Sequence, residues 1–297
     1  MSNQVETHFV NQYNANIQLL SQQPHSRLEG CVRRETQQGE FQFFDQIGAV
    51  EMAELIGRHA DTALSNTPHA RRRVGLTPFS FADMIDWKDR ARLLTDPQSP
   101  YAVNAVMSAG RKKDQIILAA AIGAAATDKT GSTSVVLPES QKIAVTFDGA
   151  GGATPLGLTV RKLRQAKMIL DQAEAGAMGN NKRFLAVTAE QVDNMLGTTE
   201  VTSADYNNVK ALVNGDVDTF MGFKFIRLEL LANTTTTRHC VAWIENGILM
   251  STAEEIEVKV DTIPTKNYGV QVYVKQMLGA TRMEEAKVVQ IDCHEPA

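Results

Sequence analysis

The stretch Asp96–Pro97–Gln98–Ser99–Pro100 followed by YAVNAVMSAGRKKDQIILAAAIGAA to Ala125 decides the reading of the chain. Ser99 suits a helix N-cap and Pro100 the first helical position, where its missing N–H costs nothing. From Pro100 to about Ala126 Gly110 and Gly123 stand alone as helix breakers. The sequence therefore predicts one helix over about 99–126, roughly seven turns at 3.6 residues each. Arg111, Lys112, Lys113 and Asp114 interrupt its apolar pattern in the middle. A helix this long, half apolar and half charged, suits the backbone of a larger structure. Its most apolar part, Gln115 to Thr127, is 13 residues without a charge until Asp128. Spanning a bilayer takes roughly 20, so a buried helix is expected and no membrane partner.

Upstream, residues 5–20 place Val5, Phe9, Tyr13 and Ile17 on one helical face among Asn and Gln. So thin a stripe suits an arm that docks elsewhere, such as on a second copy. GEFQFFD at 39–45 and HARRRVGLTPFSF at 69–81 read as two extended arms, and the polar stretch 57–67 as the tip between them. This region is poor in large apolar residues and leans on other surfaces for burial. In the run Arg71–Arg72–Arg73, alternate side chains of a strand face opposite ways. Arg71 and Arg73 would point to one side and Arg72 to the other. Together with Arg58 and Asp61 at the tip, they are candidates for contacts between subunits. ADMIDWKDRARLL at 82–94 reads as a short amphipathic helix, broken by Asp96–Pro97.

Downstream, SVVL (134–137) and KIAVTF (142–147) read as strands and Gly149–Gly152 as a loop. Residues 157–174 read as a helix whose apolar face carries Leu156, Val160, Leu163 and Leu170. Arg161, Lys162, Arg164 and Lys167 supply its charge. RFLAV (183–187) is a strand, Thr188 and Gln191 form a capping box for a helix ending at Gly197, and a short helix is expected at about 204–213. The last third is strand-rich: FKFIRLEL (223–230), VAWI and ILMS around Asn246–Gly247 as a hairpin, IEVKV, VQVYV and KVVQI. The class is α+β, without regular βαβ alternation.

Composition narrows the function. The chain has 297 residues, 43% hydrophobic and 22% charged, with 20 Gly and 9 Pro, which is a folded chain and not a disordered one. Its net charge of −4 is not that of a protein built to grip nucleic acid over its whole surface. The N-terminus lacks the pattern of a secretory signal. Cys31, Cys240 and Cys293, odd in number and far apart, suit a reducing compartment. His239–Cys240 and Cys293–His294 lack metal-site spacing, so no metal is assigned. Around Lys129, Asp128 stands where a phosphate loop needs Gly. Around Gly149–Gly157, Thr154 stands where a dinucleotide fingerprint needs its third Gly, so a hinge is favoured over a cofactor loop. No hydrolase motif is present, and no catalytic residue or cofactor is assigned.

The order of parts carries a resemblance. SRLEGCVRRET and FFDQIGAVEM (26–52), TPHARRRV (67–74), the helix segment 96–125 and GLTVRKLRQAKMIL (157–170) resemble the tailed-bacteriophage major capsid protein family, whose shell fold is called Hong Kong 97-like. The resemblance runs from about residue 10 to 291. It implies an N-terminal arm (1–39), an extended loop (40–80) lying over the adjacent subunit, a peripheral domain with the spine helix (81–149), an axial domain (150–245) and a return to the peripheral domain (246–297). It implies hexamers and pentamers closing into an icosahedral shell around double-stranded DNA, bound without sequence specificity. Expected partners are further copies, a separate scaffolding protein, a portal and a decoration protein; the expected place is the virion capsid, assembled in the host bacterial cytoplasm. The loop tip has no Lys, so the Lys–Asn cross-link of some relatives is not carried over. An encapsulin-like cargo shell and a soluble nucleotide-dependent enzyme using the Gly149–Gly157 loop are the rival readings.

Overall fold

The computed structural model describes residues 20–54, 57, 61–62, 64–86, 98–176, 182–197 and 219–295. In chain order these hold β1 (Arg33–Thr36), β2 (Phe41–Ile47), β3 (His69–Gly75), β4 (Thr77–Ile85), helix α1 (Gln98–Ile122), β5 (Ala125–Thr127), β6 (Thr133–Val135), β7 (Lys142–Ile143) and α2 (Val160–Gln172). There follow β8 (Arg183–Val187), α3 (Ala189–Leu196), β9 (Thr219–Phe220), β10 (Phe223–Arg227), β11 (Asn233–Thr234), β12 (Thr237–Ile244), β13 (Ile248–Ile263), β14 (Gly269–Arg282) and β15 (Val288–His294). The chain divides into two compact units. One takes residues 1–26, 78–111 and 254–276, the other 27–77, 112–253 and 277–297.

The larger unit is built on a mixed sheet in the order β7-β15-β12-β8-β10-β9, with β11 beside β12. β8 lies between parallel β10 and antiparallel β12, and Phe184 to Val187 are buried on both faces. That explains its unbroken apolar run, because a strand covered on both sides has no face left for polar residues. α2 lays Leu163, Ala166 and Leu170 into this core. Its N-cap, Thr159, accepts the Lys162 N–H. Trp243 is buried and its indole N–H donates to the Cys31 carbonyl at 2.9 Å. Each large apolar side chain buried here contributes about 1.5–3 kcal/mol. A second sheet, β2-β3-β5-β6, carries the hairpin of β2 and β3.

In the smaller unit, β14 alternates buried and half-buried residues from Gly269 on, the period-two pattern of a half-covered strand. Val274 packs with Ala105 and Ala109 of α1, flanked by Phe81 and Ile256. The Gln276 side-chain amide donates to the Ala109 carbonyl at 3.2 Å.

Several local expectations are corrected. α1 ends at Ile122, and Ala125–Thr127 pair with β3 and β6 as a strand, because sheet partners outweigh the helix preference of Ala. Residues 82–85 belong to strand β4, not to a helix. KIAVTF is a strand only over Lys142–Ile143, and FKFIRLEL only over Phe223–Arg227. Asn246–Gly247 makes no hairpin: a 3-10 turn at Glu245–Gly247 carries the chain from β12 in one sheet to β13 in another. The Thr188–Gln191 capping box is not formed, since Thr188 Oγ1 donates to Glu295 and Gln191 Oε1 accepts from the Leu158 N–H. The expected N-terminal helix up to residue 19 and the helix at 204–213 lie outside the described residues.

Candidate assembly interface

β2 and β3 pair antiparallel from Phe41↔Gly75 to Ile47↔His69. The last rung is the Gly48 N–H to the Pro68 carbonyl at 2.8 Å. A Cβ on Gly48 would meet the Pro68 ring at 2.6 Å, so the strands close on each other there only because residue 48 is Gly. One face of the hairpin is outward and carries Phe41, Phe43, Asp45 and Ile47. Arg71 stacks over Phe43 at 5.4 Å and Arg73 over Phe41 at 4.8 Å, and Arg71 Nε donates to Asp45 Oδ1 at 2.5 Å. The Arg71 guanidinium holds the Asp45 carboxyl below its ordinary range. The Arg73 stem lies against Gly131, whose φ of +69° lets the 128–131 turn close over it.

The opposite face is the root. Phe44 packs on Val74, Leu249 and Met283. Arg72 is buried, its Nε on the Met283 carbonyl at 3.0 Å and its Nη2 on Glu285 at 2.6 Å. Gln46 donates to the same Met283 carbonyl at 2.6 Å. Glu285 also faces Arg282 Nε at 3.5 Å. Arg282 is buried and donates to the carbonyls of Ala121 and Gly123 at 2.9 and 2.7 Å, and to that of Val135 at 2.9 Å. It thus occupies the C-terminal end of α1, where orphan carbonyls and the negative end of the helix dipole favour a cation. Burial pushes its guanidinium down from the ordinary arginine value, and Glu285 opposes that.

The expected alternation of the three arginines is present, and with it a sharper division than the sequence showed. Arg71 and Arg73 are on the outward face, while Arg72 is consumed by Glu285 and Met283 of its own chain. Asp61 is exposed, and Arg58 lies outside the described residues. At the end of the ladder and past it, apolar side chains stand in solvent: Ile47 is 72% exposed, Leu64 93% and Met52 100%.

A second set of contacts fixes the entering N-terminal segment. In the larger unit Asp114 accepts the N–H groups of Arg27 and Leu28 at 3.0 and 3.1 Å, and Lys113 pairs with Glu29 at 3.0 Å. In the smaller unit Arg111 donates to Gln22 at 2.7 Å, and a Cβ on Gly110 would meet the Ser26 nitrogen at 2.9 Å. The charged interruption of α1 is therefore a clamp for residues 22–29.

Sequence reasoning missed Lys162. It was expected on the charged face of α2, yet it is fully buried. Its ammonium donates to the carbonyls of Val145, Leu156 and Asp292 at 3.0, 2.7 and 2.7 Å. Burial pushes its pKa down. The three acceptors lie in two separate stretches of chain, so no local spacing announces them.

The Gly149–Gly157 loop is closed on itself. Asp148 accepts the N–H groups of Ala150 and Gly152 at 2.7 and 3.0 Å, which holds its carboxyl below its ordinary range. Donors that a phosphate would need are taken by a carboxylate, and the cofactor reading loses its geometry. Among the described residues no group of three or more His, Cys, Asp or Glu is placed to hold a metal, and no helix is long and apolar enough to cross a membrane.

A family model described as phage capsid protein matches residues 5–295. No curated protein matches the sequence. Among solved structures the chain is similar to the capsid of Cyanophage P-SCSP1u, with a TM-score of 0.74 at 14% identity over 98% of this chain and 94% of that one. It is similar to the capsid of Ralstonia phage GP4, with 0.75 at 9% identity over 98% and 96%. The capsid of Helicobacter pylori bacteriophage KHP30 gives 0.73 at 9% identity over 99% and 98%. At such identities the likeness speaks for the fold, which is the Hong Kong 97-like α+β shell fold. With the family match spanning nearly all of the sequence, the chain belongs to the phage capsid protein family and is a structural protein of the phage shell.

Proposed function

We propose that this chain is the major capsid subunit whose hexamers and pentamers close an icosahedral shell around double-stranded DNA, and that the hairpin of β2 and β3 is its principal overlap with the adjacent copy. The observation that carries this is the contrast within the hairpin. Its root is fixed by a buried ion pair and a packed Phe44, while Ile47, Met52 and Leu64 at the far end are exposed. Exposed apolar side chains on a braced arm are what an interface between copies would bury. Arg71, Arg73 and Asp61 supply its polar contacts, as does Arg58; Arg72 acts from within, by fixing the root. Residues 40–80 then serve as the extended loop, 1–39 as the arm, 81–149 and 246–297 as the peripheral domain and 150–245 as the axial domain. No catalytic role is assigned. A separate scaffolding protein, a portal and a decoration protein are the partners proposed, with assembly in the host cytoplasm.

Electron microscopy with light scattering on the purified chain tests this. Uniform hollow shells are expected, alone or with the scaffolding partner. A species that stays small with that partner present overturns the proposal. Shells that package protein cargo and no DNA in the host would move it to an encapsulin-like compartment.

A further inference from the structure

The solvent side of α2 carries a feature that the hairpin reading does not use. Together with Phe147, Gly149 and Met221 it lines an open cavity of about 970 Å³ within the larger unit. Arg161, Arg164 and Lys167 project there at every third residue, the spacing that puts side chains on one face of a helix. Among the described residues of the lining, Asp171 is the one acid, and it is paired with Arg183 at 2.5 Å. Arg161 donates to the Asp148 carbonyl at 2.7 Å and makes no ion pair with a described residue. Arg164 is singular: alone among the described arginines it has no hydrogen bond, ion pair or ring contact with any described residue. Lys167 also has none among them. The groove therefore holds three cations that make no ion pair with any described residue, in a chain whose net charge is −4.

We propose that this groove binds the phosphate backbone of duplex DNA, an inference that rests on the shell reading above and names a contact with the contents. Guanidinium forks match phosphate oxygens two at a time, and Lys adds a point charge. Phe147, Met168 and Met221 give the cavity an apolar wall that suits sugar carbons between phosphates. Contacts to backbone phosphates carry no sequence information, so binding through them is independent of sequence. A site of three cations per copy is weak by itself, and that suits a wall that must release its DNA.

The test is fluorescence anisotropy of a labelled 20-base-pair duplex with the full-length unassembled chain, from 50 to 200 mM salt. Three neutralised phosphates give a log–log salt slope of about −2.7, an affinity loss of about 40-fold over that range. Arg164→Gln/Lys167→Gln should cut the slope to about −0.9 and the loss to about fourfold. Both side chains stand on the open side of α2, so folding is not at stake. A Lys129→Gln/Lys266→Gln chain, altered at exposed lysines elsewhere, should behave as wild type. An unchanged slope in the Arg164/Lys167 variant overturns the proposal. So does displacement of the duplex by polyglutamate of equal charge at equal concentration, which would mark the groove as a site for an acidic protein segment. Parallel micrographs separate the two readings. Normal shells with an unchanged slope refute this inference alone, whereas absence of shells with the scaffolding partner refutes the capsid reading.

Discussion

Replacing Lys162 by Met removes an ammonium and keeps the length of the side chain. Three hydrogen bonds from a charged donor are lost, each worth about 1.5–3 kcal/mol against no partner. Opposing this is the several kcal/mol spent in taking an ammonium out of water. The carbonyls are not all stranded: Val145 O still accepts the Leu156 N–H at 3.0 Å, and Leu156 O still accepts the His294 N–H at 2.8 Å. Met fills the space, so no cavity penalty is added. The net expectation is a loss of about 2–3 kcal/mol. At about 2.1 cal/mol/K of unfolding entropy per residue, a chain this long loses about 3–5 °C in Tm. Amide hydrogen exchange localises the effect. His294 and Leu156 should exchange about 30- to 100-fold faster, since 1.4 kcal/mol is a factor of ten. An unchanged Tm with unchanged protection at His294 would show that desolvation cancels the three bonds, and Lys162 would not be the tie between α2, the 145–156 stretch and β15.

Other expectations follow from the same contacts. Deleting residues 57–67 should leave the subunit folded by circular dichroism and weaken or abolish shells in micrographs; particles of unchanged heat resistance would sink the overlap role of the tip. Glu285→Gln leaves Arg72 and Arg282 facing each other without their shared carboxylate, and breaking a pair this buried costs about 3 kcal/mol, read as faster exchange in β2 and β3. Glu295 is held below the ordinary carboxylate range by Arg238 first, then by Gln191 and Thr188. Its folded-state pKa is depressed, so its stabilisation is present above the unfolded value of about 4.3 and is lost as pH falls through the folded one. Tm should therefore fall less steeply below pH 5 in Glu295→Gln than in wild type, and equal slopes would remove Glu295 from the acid response. Gly279→Ala places a Cβ 2.0 Å from the Gly75 carbonyl oxygen, a backbone atom that cannot swing away. A loss of about 1–3 kcal/mol in denaturant unfolding is expected.

What the sequence made legible depends on how local the cause is. The 98–122 helix follows from Pro100 and a run of good helix formers, and the first hairpin arm from the three Phe residues of Phe41–Ile47, which suit a strand; both causes act within a few residues. Lys162 was misplaced because helical periodicity counts every lysine as polar, and its Asp292 acceptor is 130 residues away. Glu285 is 213 residues from Arg72, so the alternation of Arg71 to Arg73 was visible and the meaning of Arg72 was not. Asn246–Gly247 failed for a related reason. A turn signal reports that the chain bends, and which sheet the next strand joins is settled by the burial of Ile248 and Met250 in the main core and of Leu249 beside Val74 and Met283. The charged run at 111–114 reads in sequence as an interruption of the apolar pattern, and its use is not visible there because the partners of Arg111, Lys113 and Asp114 arrive from residues 22–29.

The root of the hairpin and its far end obey different physics, and the assembly role needs both. Seven residue pairs of ladder, Phe44 in its apolar cluster and Glu285 between two buried guanidiniums fix where the arm starts and which way it leaves. A buried Arg–Glu–Arg arrangement adds little stability over apolar residues of the same size, since the desolvation of three charges consumes most of the attraction. What it adds here is direction. Guanidinium and carboxylate planes accept few relative orientations, and Arg282 is in turn fixed to the last carbonyls of α1. On the proposed overlap, an arm aimed by its own chain has already lost the orientational freedom that docking on a neighbour would otherwise have to remove, so modest apolar contacts at Ile47, Met52 and Leu64 would suffice. Had the arm been anchored by an apolar cluster alone, its angle would be softer, and each copy would spend contact energy on finding the register that the closed shell demands.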